Sequence, residues 1–437
     1  MTRTRLIFAF SLVFVLLVAA CTPVGTPSDE AGAPAAGEKT TLLVWDQFTG
    51  PAGEAADQIY ASYMEMHPEV EIKREVVAYG QIIQTAKTAL ASGTGPDLIY
   101  YDTGIGYAGV LTEADLLASL DDLVSDYGWD KRIFQWALDR STFDGHLYGL
   151  GMEMEFIGMY YNKTLLDQEG MSVPETDQEM LAFCAEAQEK GYIPIAFGDN
   201  PGWQSYHQFG MVANNMLGEA GITKLLIDGE GRWDSPELEQ AVQFFFVEMN
   251  NAGCFVPDVN AVEYNDSNAL FYTGQALLNL TGTWLIDGID ENAGDYEIRM
   301  APFPALAGGD RLLPAGLGSA WFISANSAHP EEAAQLLDYI FSDESVKLWV
   351  EGARFVPPVV FDAADWNVSP LMKFAIDTMQ AAGRGEPGAA LGHYIDTNVP
   401  EGFNTMMQDG FQAVLAGIKT PAEQLADLQK AWEEGRN

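Results

Sequence analysis

The sequence predicts an α/β fold, and three observations lead to that prediction. Short apolar runs rich in branched residues alternate with longer stretches of helical periodicity, as in βαβ units. Hydrophobic residues make up 48% of the chain and aromatic residues 11%, which is ample for a buried core. The chain has 437 residues, more than one core usually serves, so we expect two domains.

The first predicted elements follow one another in βαβαβ order. The apolar run TLLVW predicts a strand at 41–45, and VEIKREVV and DLIYY predict further strands at 70–77 and 97–101. The stretches between them have helical spacing and predict helices at 52–67 and 81–93. The first lobe should therefore contain a largely parallel sheet.

The N-terminus has the pattern of an export signal. Arg3 and Arg5 precede an apolar run at 6–18 that is too short to span a membrane, and Val18-Ala19-Ala20-Cys21 resembles the bacterial lipobox. We expect a lipoprotein signal peptide at 1–20, lipidation of Cys21, and a flexible tether at 21–39 that is rich in Pro, Gly and Ala. In the alternative, the signal is an ordinary secretory peptide and Cys21 is incidental.

Charge and cysteine content exclude some partners and leave other questions open. The formal charge is -41, so nucleic acid is excluded as a partner. The acidity fits a solvated surface, a salty habitat or attraction of cationic ligands. Cys184 and Cys254 remain after Cys21, and they form either a disulfide or two free buried thiols. Metal-ligand spacings are missing, so we expect neither a metal nor a cofactor.

Two acids directly follow predicted strands. Asp46 comes after the first strand and Asp102 after DLIYY. Ligands of open α/β sheets bind beyond the carboxyl ends of the strands, so both acids are candidates for ligand contact. Asp is also a common helix N-cap, and capping is the alternative role for each.

Four segments together resemble the extracellular solute-binding proteins of ABC importers, in the sugar-binding branch that contains maltose-binding protein. They are ASGTGPDLIYYD (91–102), GHLYGLGMEMEFIGMYYNKTLL (145–166), FYTGQALLNLTGTW (271–284), and MAPFPALAGG with LGSAWFISANSAHPEEAAQLLDYIFSDES (within 300–345). The resemblance runs in order over nearly the whole mature chain. It implies a two-lobed α/β fold like that of periplasmic binding proteins, with a hinge and a ligand cleft between the lobes.

The resemblance also implies lobe boundaries, partners and a cellular location. The first lobe would take 40–153 and 314–357, and the second 154–313 and 358–437. The protein would capture a mono- or oligosaccharide outside the cytoplasm, anchored to the cell membrane by lipid, and pass it to ABC permease subunits coupled to an ATPase. Lobe closure around the ligand requires no covalent chemistry.

The resemblance places several side chains at the cleft. Glu155 and Asp102 match sugar-contacting acids, and Trp284 matches a tryptophan that stacks on ligand. Strand alternation puts Glu153 on the same face as Glu155, although either carboxylate could face solvent. The remaining candidates are Asp46, Trp203, Gly316, Arg354 and Tyr394, for which core packing, turns or ion pairs are the alternative roles.

One rival function uses the same residue types. An extracellular glycoside hydrolase also needs paired carboxylates, but at a defined separation that nothing in the sequence marks. Few basic residues lie near the predicted site, which favours a neutral sugar and leaves a polyamine open. We expect no catalytic residues.

Overall fold

The computed structural model describes residues 39–386 and 391–435. The expected signal peptide, Cys21 and the tether up to residue 38 lie outside the described residues. Within the described ranges, no helix is long and apolar enough to cross a membrane.

Thirteen strands are found in the described residues. They are β1 (Thr40–Asp46), β2 (Val70–Val76), β3 (Leu98–Asp102), β4 (Thr142–Phe143), β5 (His146–Leu147), β6 (Gly149–Gly151), β7 (Met154–Asn162), β8 (Ile193–Ala196), β9 (Ala276–Gly282), β10 (Ile298–Ala301), β11 (Pro314–Leu317), β12 (Ser319–Ile323) and β13 (Gly392–His393).

The same part of the chain contains seventeen α-helices. They are α1 (Gly50–Met66), α2 (Tyr79–Ala91), α3 (Val110–Glu113), α4 (Asp121–Tyr127), α5 (Trp129–Arg132), α6 (Gln135–Arg140), α7 (Lys163–Glu169), α8 (Asp177–Glu189), α9 (Trp203–Leu226), α10 (Pro236–Val242), α11 (Tyr264–Tyr272), α12 (Ile286–Asn292), α13 (Pro330–Ile340), α14 (Asp343–Leu348), α15 (Pro370–Gly383), α16 (Phe403–Leu415) and α17 (Pro421–Gly435). Short π and 3₁₀ turns extend several of them, at Ile105–Gly109, Gln243–Met249, Val259–Ala261, Thr283–Leu285, Trp349–Ala353 and Asp396–Asn398.

The first sheet has the order β2-β1-β3-β12-β6. β1 runs parallel to β2 and β3, whereas β12 is antiparallel to β3. The five elements predicted between residues 41 and 101 are confirmed, each within two residues of its expected bounds. Alternate residues of β1 are buried, so one face of this strand packs on the core.

The second sheet has the order β13-β11-β7-β9-β8, and β10 also pairs with β7. β7 is buried along nearly its whole length because strands lie on both sides of it and helices cover its faces. The expected α/β class is therefore confirmed for both sheets.

The chain crosses between the sheets three times over the described residues, and two of these crossings are neighbours. One crossing lies between β6 and β7, at Met152 and Glu153, and the other is Gly318, between β11 and β12. The Gly318 amide donates to the Glu153 carbonyl at 3.2 Å, so the two crossings are bonded to each other. The Thr103 hydroxyl donates to the carbonyls of Leu317 and Gly318 at 2.8 and 2.9 Å.

One expected boundary differs from the structure. Residues 314–317 were expected in the first lobe, but they form β11, which pairs with β7 and β13 of the second sheet. Gly316 lies opposite Glu155 in this pairing. The sequence pattern of a short buried strand does not specify which sheet it joins, and here the pairing partner decides.

A disulfide joins the two cysteines whose pairing the sequence left open. Cys184 of α8 is bonded to Cys254, and the two Cα atoms are 5.1 Å apart. The link closes a separation of 70 residues within the second sheet's helical layer. Cross-linking a loop of this length removes conformational entropy from the unfolded chain.

Removing this link should lower stability without changing the fold. We expect the double variant Cys184→Ser/Cys254→Ser to lose up to about 4 kcal/mol of unfolding free energy, because the unfolded chain regains its loop entropy. Urea denaturation of the oxidised protein with and without reductant gives the same comparison in one preparation. Equal midpoints with and without reductant would show that the disulfide does not form in solution.

Candidate functional site

A cavity of about 580 Å³ lies between the two sheets. Its wall combines residues that follow β1 and β2, the last residue of β3, and residues from the two neighbouring crossings, from α9 and from the segment after β13. The carboxyl ends of the parallel strands thus open onto this space, as expected for an open α/β sheet. A cavity of this size is typical of small-molecule sites.

Four carboxyl groups line the cavity: Asp102, Glu153, Glu155 and Asp396. Tyr79 and Ser319 donate hydroxyl hydrogen bonds to Asp102 at 2.6 and 2.5 Å. Tyr100 donates to Glu153 at 3.1 Å. All these donors are neutral hydroxyls, and no lysine or arginine is among the described residues that line this cavity.

Burial without a basic partner keeps these acids from ionising easily. Burial raises the pKa of Glu153 to about 8, and the nearby Asp102 charge adds to the rise. The pKa of Glu155 is raised well above its ordinary range by burial and by repulsion from Glu153, Asp102 and Asp396. Burial and the charge of Asp102 raise the pKa of Asp396 to about 7. Burial also raises the pKa of Asp102.

Aromatic rings form another part of the wall. The ring of Trp203 lies 4.7 Å from that of Tyr264 and 6.1 Å from that of Trp284, centre to centre. The Trp284 indole donates to the Tyr264 hydroxyl at 2.9 Å, which fixes the orientation of both rings. Gly282 allows this arrangement, because a Cβ there would lie 2.0 Å from the Trp284 ring.

His207 joins the rings to the acidic side of the cavity. It is buried, and its ring lies 5.3 Å from Trp284 and 5.7 Å from Tyr394. Burial lowers the pKa of His207 to about 3, so the imidazole is neutral at pH 7. Its Nδ1 atom has no hydrogen-bond partner among the described residues.

The cavity wall combines carboxyl groups, which accept hydrogen bonds, with aromatic planes, and this combination suits particular ligands. Carboxylates accept hydrogen bonds from hydroxyl or ammonium groups, while aromatic planes cover apolar C–H faces and attract cations. The cavity is thus built for a ligand that combines ring faces with many hydrogen-bond donors.

A known protein family matches most of this chain. Residues 46–347 match the family model for bacterial extracellular solute-binding proteins. The chain belongs to this family. A curated relative, the multiple sugar-binding protein of Streptococcus mutans, is 23% identical over 335 residues, which cover 73% of this chain and 76% of the relative.

Solved structures of similar fold cover nearly the whole chain. A structure described in work on xylan utilization by Caldanaerobius polysaccharolyticus superposes with a TM-score of 0.80 at 24% identity, covering 89% of this chain and 99% of the other. A chitin oligosaccharide binding protein also gives a TM-score of 0.80, at 22% identity, covering 91% and 99%. These neighbours establish the two-lobed α/β fold for this solute-binding protein.

The structure brings most of the sequence-predicted residues together in the cavity of this solute-binding protein. They are Asp102, Glu153, Glu155, Trp203, Trp284 and Tyr394. The strand alternation that put Glu153 and Glu155 on one face agrees with their shared position on the cavity wall. Their contact with ligand stays a prediction.

Asp46 is placed beneath the cavity and does not line it. The side chain is fully buried, and Arg74 of β2 donates two hydrogen bonds to its carboxylate at 2.7 Å each. Asp46 also accepts the Phe48 amide at 3.0 Å, and Arg74 donates to the Phe48 carbonyl. The pair therefore positions the loop at 47–49, whose residues do line the cavity.

Gly316 and Arg354 also lie outside the cavity wall. A Cβ at Gly316 would lie 2.7 Å from the Tyr394 ring, so this glycine lets Tyr394 pack against β11. Arg354 donates through Nε to Asp290 of α12 at 2.9 Å. The expectation that either residue lines the cleft is corrected by these positions: one is a packing residue and the other is held by an acid of the second lobe.

Tyr79, His207, Tyr264 and Asp396 are among the cavity side chains that sequence reasoning missed. Tyr79 lies just beyond β2, where the strand-end rule that found Asp102 also applies. His207 lies one helical turn after Trp203, on the same face of α9. The sequence carries no local signal for Tyr264 or Asp396.

We predict that Asp46 stabilises the folded protein through Arg74 and does not contact the ligand. Asp46→Asn leaves Arg74 without its buried partner and should lower the unfolding free energy by about 3 kcal/mol. The matched control is Asp57→Asn, since Asp57 also binds Arg74 but its side chain is 68% exposed. That variant should lose less than about 1 kcal/mol. Urea denaturation measures both, and equal stability of Asp46→Asn and the parent would contradict the positioning role.

We also predict that burial of Glu153 lowers the unfolding free energy of the ligand-free protein as pH rises. The pKa of Glu153 is raised from 4.5 to about 8 in the folded state, so its contribution is fully present below pH 4.5 and is lost as pH rises through 8. Glu153→Gln should therefore become progressively more stable relative to the parent between pH 5 and 8. Exposed Glu65 lies outside the cavity wall, and Glu65→Gln is the matched control for a Glu-to-Gln change away from the cleft.

Urea denaturation of the ligand-free proteins at pH 5, 6.5 and 8 measures this difference. Tyr100, Asp102, Glu155, Tyr394 and Asp396 are the other titratable groups that face Glu153 or its neighbour. They are present in both proteins, so the difference reports the Glu153 proton together with the change that its charge imposes on Glu155. A difference independent of pH would show that Glu153 is ionised throughout.

Proposed function

We propose that this solute-binding protein captures a carbohydrate in the cavity between its lobes and delivers it to the permease of an ABC importer. The observation that carries the proposal is the wall itself, which combines the rings of Trp203, Tyr264 and Trp284 with the carboxyl groups of Glu153 and Glu155. A sugar ring presents an apolar face ringed by hydroxyl groups, and this wall complements both parts.

The names of the relatives support the same ligand class. The Streptococcus mutans relative is named as a multiple sugar-binding protein, and the neighbour of TM-score 0.80 is named as a chitin oligosaccharide binding protein. A mono- or oligosaccharide is the proposed ligand here. Permease subunits and, through them, an ATPase are the proposed partners.

We further propose that lipid on Cys21 anchors the protein on the outer side of the cell membrane. The basis is the sequence Val18-Ala19-Ala20-Cys21 after a short apolar run. Several acyl chains give stable anchoring. Cys21→Ser should release the protein into the medium or leave it as an unprocessed precursor, and normal membrane retention of that variant would contradict the anchor.

The ligand screen is the first test of carbohydrate capture. The domain at 40–437 is screened by thermal shift against mono- and oligosaccharides, polyols, polyamines and amino acids, with analysis of the recovered ligand. A ligand at 100 times its dissociation constant should stabilise the protein by about 2.7 kcal/mol. A sugar that binds and is recovered unchanged supports transport, whereas a cleaved sugar would make the protein a hydrolase.

Trp284 gives a prediction for the sugar found in that screen. Trp284→Ala removes an aromatic plane from the wall and should weaken binding by about 1 to 3 kcal/mol, measured by isothermal titration calorimetry. Trp366→Ala is the control, because Trp366 stacks on Phe361 and does not line the cavity. Unchanged affinity in Trp284→Ala, with the fold retained, would remove Trp284 from the ligand site.

A further inference from the structure

The excess of carboxyl groups in the cavity indicates which kind of sugar would bind there. This inference about the ligand rests on the proposed carbohydrate function. Four carboxyl groups line one space of about 580 Å³. Their mutual repulsion is part of what hinders ionisation of Glu155 and Asp396. A positive charge placed among them would relieve that repulsion.

The protein itself supplies no such charge in the described part of the cavity wall. Arg74 binds Asp46, and Arg354 binds Asp290. Arg140 bonds Asn398 and His393 on a different cavity. His207 is neutral at pH 7 because burial lowers its pKa to about 3. The counter-charge must therefore come from the ligand or from protons.

Two buried polar atoms on residues of the wall have no hydrogen-bond partner among the described residues. Asp396 is 6% exposed, and its carboxylate accepts backbone hydrogen bonds while its Oδ1 atom has no partner in the described part of the chain. His207 is 8% exposed, and its Nδ1 atom likewise has no partner there. Both residues line the cavity. Leaving such groups unpaired costs free energy that a ligand donor would offset.

The aromatic residues favour a ring over a linear amine. Trp203, Tyr264 and Trp284 offer planes that cover the C–H face of a sugar ring. The same planes also attract a cation held near them. A flexible polyamine would use the charges and leave these planes without a matching surface.

We propose that the natural ligand is a sugar that carries a protonated amine, with its ammonium group held by Asp102, Glu155 and Asp396. Charge-assisted hydrogen bonds to three carboxylates then replace hydroxyl-to-carboxyl bonds. Such bonds are roughly twice as strong as neutral ones, so the amine should bind at least about 10-fold tighter than the hydroxyl parent.

The test compares sugars that differ at one position. Glucose, galactose and mannose are each titrated against their 2-amino-2-deoxy forms, and the β1,4-linked glucose dimer against the corresponding glucosamine dimer. Glucuronate and spermidine complete the panel as an acidic sugar and an amine without a ring. Calorimetry at pH 7 gives the affinities, and repeating it in buffers of different ionisation enthalpy counts the protons released.

The expected result is an amino sugar that binds at least about 10-fold tighter than its parent, with release of protons as its charge lowers the pKa of the carboxyl groups. Glucuronate should bind more weakly than glucose. Equal or tighter binding of the neutral parent overturns the proposal while supporting carbohydrate capture. Failure of every amino sugar to bind also overturns it, and spermidine binding in the absence of any sugar binding overturns the carbohydrate function as well.

Variants of the cavity acids test which carboxyl groups hold the ammonium group of the ligand. Glu155→Gln and Asp396→Asn should each reduce the preference for the amine over its parent toward unity, while Glu65→Gln on the exposed face of α1 should keep it. Circular dichroism establishes that each variant is folded. A full amine preference retained in both variants would overturn the assignment, and the wild-type panel remains decisive if either variant fails to fold.

Discussion

The structure depends on the place where the chain crosses twice between its two sheets. At this place the amide of Gly318 is bonded to the carbonyl of Glu153, and Thr103 is bonded to the carbonyls beside Gly318. A side chain at position 318 would meet the Glu155 carboxyl group, because its Cβ would lie 2.2 Å from Oε2. The absence of a Cβ at this crossing thus leaves room for the Glu155 carboxyl group on the cavity wall.

The same arrangement creates an electrostatic conflict inside the folded protein. Burying four acids without a basic residue costs stability, and hydroxyl donors such as Tyr79 and Tyr100 offset only part of that cost. Proteins usually retain a local conflict of this kind where function requires it. Here the conflict lies in the cavity that we propose as the solute site, so stability and binding would be linked through the same protons.

The supports of the cavity are built from conventional ion pairs placed outside its wall. Asp46 and Arg74 hold the loop after β1, and Arg354 with Asp290 ties the crossover after the Trp349–Ala353 turn to α12. Basic residues in this very acidic chain are thus used to fix the frame, while the wall itself is left with acids and aromatic rings. Asp46 and Arg354, two of the candidate site residues, therefore lie in these ion pairs and not on the cavity wall.

The sequence by itself determined the α/β class, the first five elements and the strand-end position of Asp102, because hydrophobic periodicity and chain order are local properties. The resemblance of four segments added the acid pair and Trp284. Only the tertiary structure decided that Asp46 is bound to Arg74, 28 residues away, and that residues 314–317 join the second sheet. It also brought Tyr264 and Asp396 to the cavity. Such pairings join side chains on elements far apart in the chain, and local periodicity does not encode which of many acids, bases and rings will meet.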